Sequence, residues 1–182
     1  MIELRIHGRG GQGVVTMAEL LARAALKAGM EAQTLPFFGV ERRGAAVKAC
    51  VRMDDAPIKL RSMSYHPQFL ALMQESLLPY ARLEGFAADT VVITNGNRPI
   101  DVPGEQWLVD AQAIALNNNL VFGGEAYINV PMLGAIARVL ELPLPRVEEA
   151  VSDQWPGAKG VPNLAACREA YAQVKKGGKA HA

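Results

Sequence analysis

A chain of 182 residues, 50% hydrophobic and 20% charged, is long enough for one well-buried domain and too apolar for a disordered one. A formal net charge of +1 writes no global attraction to nucleic acid or membrane into the composition, so neither is an expected partner. Cys50 and Cys167 lie far apart and outside any CxxC pair, which suits a reducing compartment and gives no metal or cluster site held by this chain alone.

The amino end lacks the basic-then-apolar profile of a signal peptide. No apolar run approaches the ~20 residues of a membrane span, so the expected location is the cytoplasm. Residues 2–7 alternate and read as a strand ending at Gly8. From Val14 to Ala28, Val14, Ala18, Leu21 and Ala25 recur at three- and four-residue steps. Thr16, Glu19, Arg23 and Lys27 line the opposite helical face, and Gly29 closes the helix. A strand at Ala32–Leu35 would complete strand, glycine loop, helix and strand, the opening of a βαβ unit.

Pro36 to Gly44 reads as a loop and Ala46–Met53 as a third strand, with Ile58–Leu60 pairing back after the turn at Asp54–Pro57 as a hairpin at a sheet edge. Pro67–Leu77 is expected to be helical, Thr90–Thr94 and Trp107–Val109 to be strands, and Ala111–Leu116 a helix capped by Asp110. Asn129 is placed as the cap of a helix running to about Leu140, with Pro131 in its first turn. That helix is apolar nearly all round, the mark of burial in its own domain or of a face shared with a partner. A final pair of helices precedes a polar tail from Lys175. The expected organisation is a single α/β domain over residues 1–176, a Rossmann-like, mostly parallel sheet flanked by helices, with a flexible tail at 177–182.

Gly8, Gly10 and Gly13 satisfy G-x-G-x-x-G between a strand and a helix, the context in which that pattern carries meaning. Glycine lets a ligand approach the backbone without a Cβ in the way, and the next helix offers its free amides to an anion. Arg9, Gly11 and Gln12 complete the loop, and four glycines in six residues exceed what a bare turn needs. A nicotinamide dinucleotide would call for an acidic residue at the end of the second strand, where Gln33-Thr34-Leu35 stands instead. Another phosphorylated ligand fits better. Glu41, Arg42, Arg43 and Gly44 follow the second strand and should reach the same edge, where two arginines suit phosphates or a partner's carboxylates.

Other signals are weak. No P-loop lysine follows the glycines, and neither HExxH nor G-x-S-x-G occurs. His7 at the strand end more often serves the backbone than catalysis, and Cys50 reads as core. No catalytic residue and no metal ligand is assigned.

Arg5-Ile-His-Gly-Arg-Gly-Gly-Gln-Gly-Val-Val-Thr16, with Phe38-Gly-Val-Glu-Arg-Arg-Gly-Ala-Ala-Val47, resembles the gamma subunit of the 2-oxoacid:acceptor oxidoreductases, typified by pyruvate:ferredoxin oxidoreductase. Val109-Asp-Ala111 and Asn129-Val-Pro-Met-Leu-Gly-Ala135 are similar to the same pattern, and the likeness runs from about Met1 to Trp155. The resemblance implies one subunit of an enzyme that decarboxylates a 2-oxoacid oxidatively to an acyl-coenzyme A and carbon dioxide. It also implies alpha, beta and delta-type partners, with ferredoxin or an NAD-linked acceptor reached through them. Thiamine diphosphate with magnesium and the [4Fe-4S] clusters would sit in those partners, since the motifs that hold them are missing here. Part of a coenzyme A site would fall to Gly8–Gly13 and Glu41–Gly44. Two departures, Val40 in place of the family's proline and no aspartate-rich stretch in Arg61–Glu75, leave the 2-oxoacid open among pyruvate, branched-chain and aryl acids such as phenylglyoxylate. A purely structural subunit and a stand-alone nucleotide-binding enzyme are the alternatives.

Overall fold

The computed structural model describes residues 1–37 and 44–178. Strand β1 (Ile2–Arg9) runs into the glycine loop and helix α1 (Val14–Lys27), followed by β2 (Glu31–Phe37) and β3 (Ala46–Asp54). Then come β4 (Phe69–Leu72), α2 (Leu78–Glu84), β5 (Val91–Asn95), β6 (Gln106–Val109) and α3 (Ala111–Asn117). The two-residue strands β7 (Val121–Phe122) and β8 (Glu125–Ala126) form a separate hairpin. Helices α4 (Asn129–Val139), α5 (Leu144–Gln154) and α6 (Gly160–Gln173) precede β9 (Lys175–Lys176).

Seven strands form one sheet in the order β2-β3-β1-β4-β5-β6-β9. β1, β4, β5 and β6 pair in parallel, while β3 is antiparallel to both β1 and β2. β2 therefore points the same way as β1, and only β3 and β9 run against the rest. The expected mostly parallel α/β sheet is present, with β3 inserted into the opening βαβ unit. That insertion explains why Ile58–Leu60 forms no strand: β1 and β2 already occupy both edges of β3. The antiparallel pairs at this end of the sheet are β2 with β3 and β3 with β1.

Pro67–Leu77 is not one α-helix: it holds strand β4 and, at Glu75–Leu77, a single 3₁₀ turn leading into α2. Leu70, Ala71 and Leu72 form a fully buried strand between β1 and β5, a short apolar run whose lack of periodicity left helix and strand indistinguishable. The helix comes later, at α2, with Pro79 in its first turn. Asp110 caps α3 as expected, its Oδ1 accepting from the Ala113 amide at 2.9 Å. At residues 175–178, β9 pairs with β6, the Gly177 amide donates to Gln106 O, and Gln106 Nε2 donates to Gly178 O. The rest of the tail, 179–182, lies outside the described residues.

One face of the sheet is covered by α1 and the helical layer around α4. Leu4 and Ile6 enter this core, and a Cβ on Gly8 would overlap the Val14 side chain. α4 is buried from Asn129 to Ala137 and packs on α1, α3, α5 and α6, so its apolar surface is used inside its own domain. The opposite face of β1 is polar yet buried, with Arg5 and His7 1% and 3% exposed. Arg5 donates to the carbonyls of Ser64, Ala81 and Gly85, at 3.4, 3.4 and 2.6 Å, tying α2 and the segment before β4 onto the sheet. Arg52 binds Glu3 at 2.5 Å and donates to the carbonyls of Leu60 and Ser62 at 3.4 and 2.7 Å. No described helix is long and apolar enough to cross a membrane.

Candidate functional site

The carboxyl ends of β1 and β2 share one edge of the sheet because both strands run the same way. The glycine loop sits there on a backbone frame. The Gly10 amide donates to Ala45 O at 2.8 Å, and the Gly44 amide returns a bond to Gly10 O at 3.1 Å. Inside the loop, the Gln12 amide donates to Arg9 O, and Gln12 Oε1 accepts from the Arg9 amide at 2.8 Å. Arg9 spends its guanidinium on protein groups: Gln74 Oε1, Gly44 O and Ser76 Oγ. Its geometry makes it a strut between the two motifs.

Gly13 ends the loop in the left-handed region at φ 71°, as the backbone cap of α1 without a side-chain cap. The first-turn amides of α1 are therefore left for an outside acceptor, as at every uncapped helix start. This end of α1 opens into a cleft of about 1290 Å³. Its walls are the loop from Arg9 to Gly13, Phe37 at the end of β2, the β7–β8 hairpin, and Asn129 and Trp155 from the helical layer. Phe122 and Tyr127 meet edge to face across the hairpin, centroids 6.1 Å apart, and both stay exposed. Glu125 is the one carboxylate lining the cleft among the described residues. A second, smaller cleft of about 700 Å³ lies at the opposite edge, around Ile2, His66, Phe69 and Glu141, and contains none of the residues expected at a site.

Of those expected residues, Arg9, Gly10, Gly11, Gln12, Gly13 and Gly44 line the large cleft. Gly8 lies just beneath it as the glycine that admits Val14. Glu41, Arg42 and Arg43 lie outside the described residues, as do Phe38, Gly39 and Val40. Asn129 is not the cap of α4. Ile128 is, because its carbonyl accepts from the Met132 amide, so Asn129 is the first helical residue. Its carboxamide instead faces Gly13, where a Cβ would stand 2.7 Å from Asn129 Nδ2. Sequence reasoning missed this residue as a site group, and a one-residue shift in the helix start is all that separates the two roles. The aromatic hairpin was missed as well; its signal was the Gly123-Gly124 turn with Phe122 just before it and Tyr127 three residues after it.

His7 Nε2 is buried without a partner among the described residues. Burial first, then the charges of Arg5 and Lys48, bring the imidazole pKa down to about 4, with Glu84 opposing. It is a neutral histidine held away from the cleft lining. Cys50 and Cys167 are buried free thiols, with burial raising both and Cys167 pushed up to about 12. Among the described residues no group of three His, Cys, Asp or Glu side chains is placed to hold a metal ion.

A sequence profile described as pyruvate ferredoxin/flavodoxin oxidoreductase matches residues 3–173. The chain is 40% identical over 181 residues to "Pyruvate synthase subunit PorC" of Methanothermobacter thermautotrophicus, covering 97% of each protein. It is 41% identical over 181 residues to "Pyruvate/ketoisovalerate oxidoreductases common subunit gamma" of Thermococcus kodakarensis, covering 94% of this chain and 96% of that protein. The crystal structure of pyruvate oxidoreductase subunit PORC from Thermotoga maritima superposes with a TM-score of 0.82 at 30% identity, covering 96% of this chain and 97% of that one. The fold also recurs, at 18% identity and a TM-score of 0.79, over 30% of a chain of the 2-oxoglutarate:ferredoxin oxidoreductase from Magnetococcus marinus. This α/β chain, with its glycine loop and cleft, belongs to the pyruvate ferredoxin/flavodoxin oxidoreductase family and is of the gamma-subunit type.

Proposed function

We propose that this gamma subunit works in a thiamine-diphosphate, iron–sulfur complex that converts a 2-oxoacid to an acyl-coenzyme A, and that its large cleft receives part of coenzyme A. The observation that carries the reading is the cleft itself, which opens over the uncapped amino end of α1. The fit is good on three counts: free first-turn amides for a phosphate, a glycine that leaves no Cβ in the way, and exposed aromatic rings for a flat base. Gly10–Gly13 would hold the phosphates, Arg42 and Arg43 would add charge from the neighbouring loop, and Arg9 would keep the two loops in register. Coenzyme A supplies the thiol that takes up the acyl group; this chain binds and orients it. The related 2-oxoglutarate enzyme of Magnetococcus marinus, whose structure is titled as holding coenzyme A and succinyl-CoA, is in keeping with the assignment.

Among the described residues no group of three His, Cys, Asp or Glu side chains is placed to hold a metal ion, and thiamine diphosphate, magnesium and the iron–sulfur clusters are assigned to alpha, beta and delta-type partners. Relatives named for pyruvate and for pyruvate with ketoisovalerate favour an aliphatic 2-oxoacid over an aryl one such as phenylglyoxylate. Turnover of the purified complex on a panel of these acids would decide. For coenzyme A, the test is a titration of the complex carrying Arg42→Ala with Arg43→Ala. Each lost charged hydrogen bond should weaken binding by about 1.5–3 kcal/mol while assembly is retained. Unchanged affinity would remove the arginines from the phosphate site. A purely structural role gains support from Arg9, whose guanidinium is already committed to protein groups. It predicts instead that Arg9→Ala breaks assembly before it changes any Michaelis constant.

A further inference from the structure

We infer that Asn129 is a ligand-binding residue, its carboxamide and the amino end of α4 forming the second half of an anion cradle that α1 begins. The inference rests on the proposed use of the cleft for a phosphorylated ligand and adds a site group from another element.

Two helices of 14 and 11 residues begin at the same spot. α1 starts at Val14 and α4 at Asn129, and the Asn129 carboxamide lies against Gly13, the residue that caps α1. Two positive helix ends thus converge, and each adds to the attraction for an anion. α4 carries Pro131 in its first turn, which offers no amide, so its free donors narrow to Asn129 and Val130.

The carboxamide supplies the independent observation. Asn129 is 5% exposed and lines the cleft, yet its side chain has no hydrogen-bond partner among the described residues. Other asparagine side chains of the chain are used: Asn95 bridges Met73 O and the Ala111 amide, and Asn118 binds Ile114 O and Glu169. With neither capping nor bridging work, this amide keeps its hydrogen-bonding capacity for whatever enters the cleft, and an anion there would accept from Nδ2. Hydrogen bonds from a neutral donor to an ionised oxygen are the stronger kind, which suits one phosphoryl group of a nucleotide.

The test is a titration of the purified complex with coenzyme A and, separately, with inorganic pyrophosphate, alongside thermal denaturation. Asn129→Asp keeps the shape and places a negative charge in the first turn of α4, where helix polarity favours it. The expected result is a Kd for coenzyme A raised at least about tenfold, weaker pyrophosphate binding, and a Tm unchanged or higher. Asn129→Ser retains a donor and should recover most of the affinity. A Tm that falls in step with affinity would make Asn129 merely structural and overturn the inference. Affinity within about twofold of the parent would also overturn it. If Arg42→Ala with Arg43→Ala weakens binding while Asn129→Asp does not, this inference fails alone. If neither variant changes binding, the coenzyme A assignment fails with it.

Discussion

Arg9 Nη1 donates to the Gly44 carbonyl at 3.0 Å, joining two motifs that stand 35 residues apart in the chain. With the paired backbone bonds of Gly10 to Gly44 and Ala45, this ties the glycine loop to the residues that lead into β3. Arg9→Ala should lower stability by about 1–2 kcal/mol, since several partly exposed hydrogen bonds go together. Hydrogen exchange at the Gly10 and Gly44 amides should accelerate. Unchanged exchange at both would mean that the backbone ladder alone fixes the loop.

Gly13→Ala meets two obstacles, a left-handed backbone at φ 71° and the Asn129 carboxamide 2.7 Å from the new Cβ. The cost should be about 1–3 kcal/mol, read by chemical denaturation. Asn129→Ala relieves only the steric part. A double-mutant cycle should therefore show a coupling of about 1 kcal/mol, and strict additivity would disprove the contact.

The fold was most legible where one segment carries its own pattern. The alternation in β1, the glycines at Gly8–Gly13 and the helical period of α1 all declare themselves within about thirty residues. β4 was misread because Phe69-Leu70-Ala71-Leu72 is buried on both sides and so shows no period. The insertion of β3 between β1 and β2 is a pairing choice, invisible in either strand alone. In the site, glycines announced a need for backbone access. Asn129 did not, because an asparagine two residues before a proline at a helix start fits a cap equally well.

His7 gives the chain an acid sensitivity. Its pKa is about 4 in the fold, against about 6.5 in an unfolded chain, so between those values the unfolded state binds the extra proton. The contribution to stability is complete above pH 6.5 and is lost as the pH falls towards 4. Stability at pH 5 should be lower than at pH 7 by about 2 kcal/mol from this group. His7→Gln should flatten that part of the profile in denaturation curves collected across the range. An equal slope in both proteins would assign the sensitivity elsewhere.

Arg52→Ala would take one donor from the Glu3 carboxylate, which keeps Ser64 Oγ, and would remove the arginine that holds the partly buried Leu60 and Ser62 carbonyls. A loss of about 2–3 kcal/mol is expected, below the range for a fully buried ion pair because the Glu3 carboxylate is partly exposed and keeps Ser64 Oγ. Arg52→Lys should restore only part of it, because an ammonium cannot reach several acceptors in fixed directions. Limited proteolysis should find new cleavage between Asp55 and Ser64 in the alanine variant. Resistance there would show that the segment holds itself.

Both thiols should be silent towards an aromatic disulfide reagent in the native protein and react once it is denatured, since Cys50 and Cys167 are buried. Rapid native reaction of either would contradict the packing.

The buried arginines also bear on how sequences of this kind can diverge. Arg5 and Arg52 hold residues 60–64 and 81–85 largely through main-chain carbonyls, and every amino acid brings a carbonyl. The covering segments are thus free to drift in side-chain identity while staying anchored. Selection should fall instead on two positions of the sheet beneath them.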